Sequence, residues 1–294
     1  MPDPETVTDP AADLALAERL ADAATRAGAE AADVLVSSGV TQVVGVSGGA
    51  LEEAERAEGL DIGLRVLVGR QEASVASSDA REETLLEMAE RAVAMAKAAP
   101  EDPYCGLAAP DRVMADPAAV AAALELEDPA APPGAEALEE TALAAEAAAL
   151  GVTGVRQVEQ ASASVAHGHI TVFQTNGFRG GYGKSSAGVS VAAIAGEGLG
   201  RERDWAGEQR RFWADLPGPE AIGRLAGERA VANLSPKKPP AGRYPVILDE
   251  RVASSFIRHI LGAINGLAVA RGSSWLADAM ETGILPRGFE IAED

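Results

Sequence analysis

The sequence is poor in the residues that usually announce a chemistry. It has one cysteine, Cys105, in 294 residues. An intrachain disulfide and a cysteine-only metal site are therefore excluded, and the usage fits a reducing cytoplasm. Aromatic residues make up only 4%, so a core must be built from Ala, Val, Leu and Ile. No apolar run approaches the roughly 20 residues needed to span a bilayer. The first ten residues, MPDPETVTDP, have neither a basic stretch nor an apolar one, so no secretory signal is visible. Positive charge is scarce: 25 Lys and Arg face 45 Asp and Glu, a formal net charge of -20. Such a chain repels phosphate backbones and anionic lipid, which argues against nucleic acid and membrane as partners.

What is there is a 47% hydrophobic chain, long enough for roughly two domains. Asp9, Pro10 and Gly28 frame a first helix over residues 10–27 with Leu16, Leu20 and Ala24 on its buried stripe. The runs DVLVSS, TQVVGV, GLRVLVG and EASVASS read as strands. A helix is expected over 80–98, capped by Ser78 or Asp79 and stopped by Pro100. EDPAAPPG (127–134) reads as a linker, followed by a helix over 135–150. Alternating polar and apolar residues, with Asn176-Gly177 as a hairpin turn, predict an antiparallel meander over 155–204. A helix over 219–234, a Pro-rich linker, a strand YPVILD and a helix from about 250 complete the pattern. On that last helix Val252, Phe256, Ile260, Ile264 and Leu267 recur at helical spacing and predict a core face. The fold class is α+β: an N-terminal helix and antiparallel-sheet domain (1–112), a central meander domain with flanking helices (113–236), and the start of a β-rich C-terminal domain (243–294).

Four motifs could carry chemistry. GVSGG (45–49) matches the G-x-S-x-G nucleophile elbow between a strand-like run and ALEEAERAE, which has helix propensity. A serine hydrolase using Ser47 is therefore a remote alternative, against a polar turn residue. GFRGGYGKSS (177–186) approaches a phosphate loop, but Phe178 stands where glycine is required and a strand, not a helix, follows. His167 and His169 share one face of a strand, yet two imidazoles fall short of the three or four ligands zinc needs. His259 is alone on its helix, with no second histidine a turn away.

The segment YPVILDERVASSFIRHILGAINGLAVARGSSWL closely resembles the start of the last domain in the TldD/PmbA family of two-component cytosolic metallopeptidases. FQTNGFRGGYGKSSAGVSVAAIAGEGLGRERDW resembles the family's central meander, and LRVLVGRQEASVASSD its first domain. The resemblance implies strand rather than helix for ALEEAERAEG. In TldD-type subunits the corresponding helix carries His-Glu-x-x-x-His, two metal ligands and a general base. With Gly262 aligned to the family glycine, those places hold Arg258, His259 and Ala263. The resemblance therefore implies a PmbA (TldE)-type subunit with no catalytic residues and no zinc ligands of its own. The resemblance also implies pairing with a TldD-type subunit that holds zinc or a similar metal, and a role in cleavage of unfolded or modified peptides, such as peptide-antibiotic precursors. Arg258 and His259 are candidates for lining a shared cavity, by family position. A non-catalytic peptide-binding scaffold is the alternative. Family members continue past the point matching Asp294, so the final domain is expected to be incomplete, with GFEIAED an unpaired strand that lowers solubility.

Overall fold

The computed structural model describes residues 9–286, 288 and 291. Residues up to Pro236 form one compact unit and those from Lys237 a second.

The first unit is built on one six-stranded antiparallel sheet of order β3-β2-β1-β4-β5-β6. Its strands are β1 (Ala31–Ser47), β2 (Ala50–Val68), β3 (Gln71–Ser77), β4 (Val155–Gln174), β5 (Arg179–Ala195) and β6 (Glu202–Arg210). The two runs expected as separate strands, DVLVSS and TQVVGV, are one strand. Its pairing with β4 from Asp33 to Val46 joins the two halves of the sequence in one ladder. Residues 50–59 are strand, as the resemblance implied. Their helix propensity is overridden because the two-residue turn Gly48-Gly49, with both φ positive, folds them back onto β1.

Two helix pairs cover the same face of this sheet, each over its own core. Helices α1 (Pro10–Ala27) and α2 (Glu82–Ala98) bury Leu16, Leu20, Leu85 and Met88 against Val34, Val36, Ile62 and Leu64. Helices α4 (Ala135–Leu150) and α5 (Pro219–Ala232) bury Leu138, Ala142, Ala149, Ile222 and Ala226 against Val44, Val46, Val189 and Val191. Full burial of a Leu such as Leu138 stabilises by about 1.5–3 kcal/mol. The small residues of α4 and α5 allow very close approach. A Cβ on Gly223 would collide with the Ala145 carbonyl, and one on Gly227 would lie 3.0 Å from the Ala149 carbonyl oxygen.

Two local expectations are corrected here. Helix α2 begins at Glu82, with no side-chain cap. The Asp79 carboxylate is instead taken by Arg81 and by the Thr84 hydroxyl, at 2.9 Å. A short helix α3 (Pro117–Ala123), capped by Asp116, lies between α2 and the linker, where no element was expected.

The second unit holds α6 (Glu250–Ile264) and α7 (Gly266–Ala270). YPVILD forms no strand, since no strand lies among the described residues of this unit to complete a ladder. The predicted core face of α6 is also corrected. Val252, Phe256, Ile264 and Leu267 are exposed, Ile260 is half-buried, and in α6 only Ala263 is buried, because among the described residues little packs on that stripe. Most of GFEIAED lies outside the described residues.

Candidate functional site

Helix α6 is started by Asp249, whose carboxylate accepts from the Arg251 N–H at 3.0 Å. Ser255, His259 and Gly262 recur at i, i+4 and i+7 and so line one face. The helix stops at Asn265, whose side-chain oxygen accepts from the N–H groups of Leu267 and Ala268 and starts α7. The chain then turns back: the Ser274 hydroxyl donates to the Ala263 carbonyl at 2.5 Å and accepts from the Leu276 N–H at 2.9 Å. This return closes a pocket of about 400 Å³ against α6, lined by Arg258, His259, Ala263, Ser273, Ser274 and Trp275.

The two residues singled out by family position, Arg258 and His259, thus stand on the wall of one pocket. The ring Nδ1 of His259 lies 2.7 Å from the Ser255 carbonyl oxygen. A carbonyl has no proton to give, so Nδ1 carries the hydrogen and Nε2 is the ring nitrogen left for a ligand. Arg258 makes no hydrogen bond or ion pair among the described residues and offers a guanidinium to the pocket. The donor set suits a carboxylate or carbonyl group better than a cation. It does not fit zinc: one imidazole nitrogen stands beside a fixed positive charge, and Ala263 has no donor atom. Among the described residues no group of three or more His, Cys, Asp or Glu could hold a metal ion.

The other sequence candidates are dispersed. Ser47 closes the β1–β2 turn opposite Ala50 and is followed by strand, so the strand–turn–helix geometry of a nucleophile elbow is absent. Val40 on the same strand pairs with His167, seven residues and roughly 23 Å away. Within this unit Ser47 is therefore not paired with a histidine of β4, and the elbow geometry that the hydrolase alternative needs is not formed. His167 and His169 do share a face of β4, and His169 Nδ1 is engaged by the Thr171 hydroxyl at 3.1 Å. Gly177 takes the positive φ of the β4–β5 turn. Ser185 is buried in β5, where its hydroxyl donates to the Arg211 carbonyl at 2.8 Å and accepts from the Asp128 N–H at 2.7 Å. It ties the linker to the end of β6 rather than facing a phosphate. Sequence reasoning did not pick out Ser274 and Trp275 as pocket residues, because the loop's return is not periodic.

Three domain models of one family match the chain: PmbA/TldA metallopeptidase domain 1 over residues 32–96, the central domain over 127–234 and the C-terminal domain over 241–294. Metalloprotease PmbA of Escherichia coli O157:H7 is 29% identical over 264 residues, covering 90% of this chain and 58% of that protein. The Metalloprotease PmbA homolog of Haemophilus influenzae is 32% identical over 275 residues, covering 92% and 59%. The chain thus spans under three-fifths of the length of these curated relatives. The crystal structure of TldE from Thermococcus kodakarensis has a similar fold, with a TM-score of 0.67 at 16% identity over 90% of this chain and 58% of that one. A Bacteroides thetaiotaomicron protein, described as a suggested modulator of DNA gyrase, reaches 0.81 at 23% identity over 93% and 61%. Among the described residues no helix is long and apolar enough to cross a membrane.

Proposed function

This chain belongs to the PmbA/TldD metallopeptidase family, and on that premise we propose that it acts as a PmbA/TldE-type subunit. In this reading it pairs in the cytoplasm with a TldD-type subunit that carries the metal, and supplies substrate-binding surface for cleavage of unfolded or modified peptides. Peptide-antibiotic precursors are one such class. The division into domains at 1–112, 113–236 and 243–294 is part of the proposal.

The single observation that carries the reading is the composition of α6. Where a metal helix needs two histidines and a glutamate, this helix has Arg258, Ala263 and His259. Arg258 would bind a carboxylate or carbonyl oxygen of a peptide. His259, with Nδ1–H committed to Ser255, would accept a peptide N–H at Nε2. These residues position a chain and exclude water. The metal, in the partner, would supply the activated water.

The test is peptide hydrolysis by this protein alone and mixed with a TldD-type subunit, each with and without chelator. Chelator-sensitive cleavage confined to the mixture is expected. Cleavage by this chain alone, at a rate unchanged by the partner, would sink the proposal.

A further inference from the structure

The face of the sheet turned away from the helices carries a row of three glycines that the mechanism above does not use. In register, Gly59 of β2 pairs with Gly39 of β1, Gly39 with Gly168 of β4, and Gly168 with Lys184 of β5. Val34, Val36 and Ser38 of β1 point to the helices, so Ser37, Gly39 and Thr41 point the other way. Above this row runs a groove of about 660 Å³ that crosses the strands.

Two of the glycines have a packing reason. A Cβ on Gly39 would lie 2.8 Å from the His167 carbonyl oxygen, and one on Gly168 would lie 3.1 Å from that of Ser38. Gly59 has no such reason: a Cβ there would meet nothing within 4 Å, and its φ is not positive. A glycine inside a strand weakens it by about 0.5–1 kcal/mol relative to alanine. What Gly59 does provide is continuation toward β2 of the main-chain floor at Gly39, beside the Lys184 stem that lies over Gly168.

The two ends of that floor are oppositely charged. Asp61, paired with Ser37, stands at the β2 end, and Lys184 stands at the β5 end with Arg211 beyond it. Neither Asp61 nor Lys184 has a hydrogen-bond or ion-pair partner among the described residues. Among the described residues the Arg211 side chain reaches only the Ser185 carbonyl, at 3.4 Å. On a chain of net charge -20, an unpaired lysine beside an arginine is a local reversal of sign. Three strand spacings of about 4.8 Å, with a two-residue offset along the strands, separate the backbones of the two residues by roughly 16 Å. The Lys184 stem leans back over Gly168, its Cε 3.9 Å from where a Cβ there would stand, so the two charges lie closer than this. An extended chain of about four to five residues covers roughly 16 Å, so the ligand is at most that long. Ser37 beside Asp61 and Thr41 at the far side of the row offer hydroxyls to the groove, which either give or take a hydrogen bond and so read no particular side chain. The Ser186 hydroxyl beyond Lys184 accepts from Gln209 at 2.7 Å.

We infer that this groove binds a short extended peptide by both free termini, with its ammonium at Asp61 and its carboxylate at Lys184 and Arg211. The inference rests on the reading above in making the ligand a peptide. It also narrows that reading, to oligopeptides of up to about five residues bound with little sequence preference.

Isothermal titration of this protein with an alanine–serine pentapeptide tests it, using the free, N-acetylated and C-amidated forms. The free form is expected to bind, and each block to weaken it about tenfold. Lys184→Met is expected to weaken the free peptide similarly and to abolish the further effect of amidation. Asp61→Asn is expected to do the same for acetylation. Both side chains are unpaired at the surface, so unchanged melting of the two variants serves as the folding control. Equal binding of all three forms, effects of the variants that do not pair with their own terminus, or no binding of the free form at millimolar concentration would each overturn the inference. Chelator-sensitive hydrolysis by the two-subunit mixture without this binding would overturn it and leave the earlier proposal standing. Terminus-dependent binding without hydrolysis would do the reverse.

Discussion

Ser38 of β1 donates its hydroxyl to the Asp13 carboxylate of α1 at 2.7 Å, and both side chains are buried. The pair stands where the α1 core ends and the middle of the sheet begins. Asp13 occupies the same helix face as Leu16, Leu20 and Ala24, so a polar group enters a stripe that is otherwise apolar.

Removing either partner leaves the other buried and unpaired. Asp13→Ala is expected to lower stability by about 1–3 kcal/mol, the desolvation penalty of an orphaned polar group. Ser38→Ala, which strands a carboxylate, is expected to cost at least as much. Urea denaturation of each variant and of the double variant checks this. A double variant no more stable than the sum of the singles would remove the coupling.

The crossing of α4 and α5 gives a second prediction. Gly223→Ala must force the two helices apart, because its Cβ would collide with the Ala145 carbonyl. Overpacking of this kind costs about 1–3 kcal/mol or more. Alanine's better helix propensity returns only about 1 kcal/mol. A melting temperature below the parent's is expected, while an increase would mean that the helices separate freely.

Asp79 is held well below the usual carboxylate range, first by the Arg81 side chain, then by the Arg81 N–H and the Thr84 hydroxyl. A depressed folded-state pKa means stability that is present above the ordinary aspartate value and fades as pH falls toward the folded one. NMR titration of the Asp79 carboxyl is expected to show it still ionised where exposed aspartates have protonated. Arg81→Ala is expected to return it toward the ordinary value. An unshifted titration in the parent would contradict the hydrogen bonds described.

The tip of the β1–β2 hairpin depends on backbone that L-residues avoid. Gly48 and Gly49 have φ of 62° and 77°, with open space where a Cβ would stand. The strain is therefore conformational: Gly48→Ala is expected to cost about 1–2 kcal/mol, and Gly48→Asn less. Thermal melts of the two variants should rank in that order.

On the functional side, Arg258→Ala and His259→Ala are expected to slow hydrolysis by the two-subunit mixture by about tenfold, the equivalent of one charge-assisted hydrogen bond. Neither should alter its metal content. Loss of metal from the mixture on either substitution would place ligands in this chain and contradict the proposed division of labour.

Much of the fold was legible in the sequence because it rests on local rules. Asp9, Pro10 and Gly28 set both ends of α1, and Asn176-Gly177 marked the β4–β5 turn. Helix α3 carried the same kind of signal, Asp116-Pro117 ahead of an alanine run, and was missed only for want of a strong apolar stripe. The family resemblance also drew attention to Arg258 and His259, since those positions follow from sequence order alone.

Tertiary structure decided what depends on register and on which elements meet. Residues 50–59 have helix propensity and became strand because a two-residue turn fixed them against β1. The regular stripe of α6 predicted burial, but burial needs a neighbour, and the described residues cover only Ile260 in part. Asp61 and Lys184 are 123 positions apart and unremarkable in order; only the antiparallel register sets them at opposite ends of one groove. Composition and spacing determine what each segment can become by itself. Which residues share a surface is set by long-range pairing, and no local pattern encodes it.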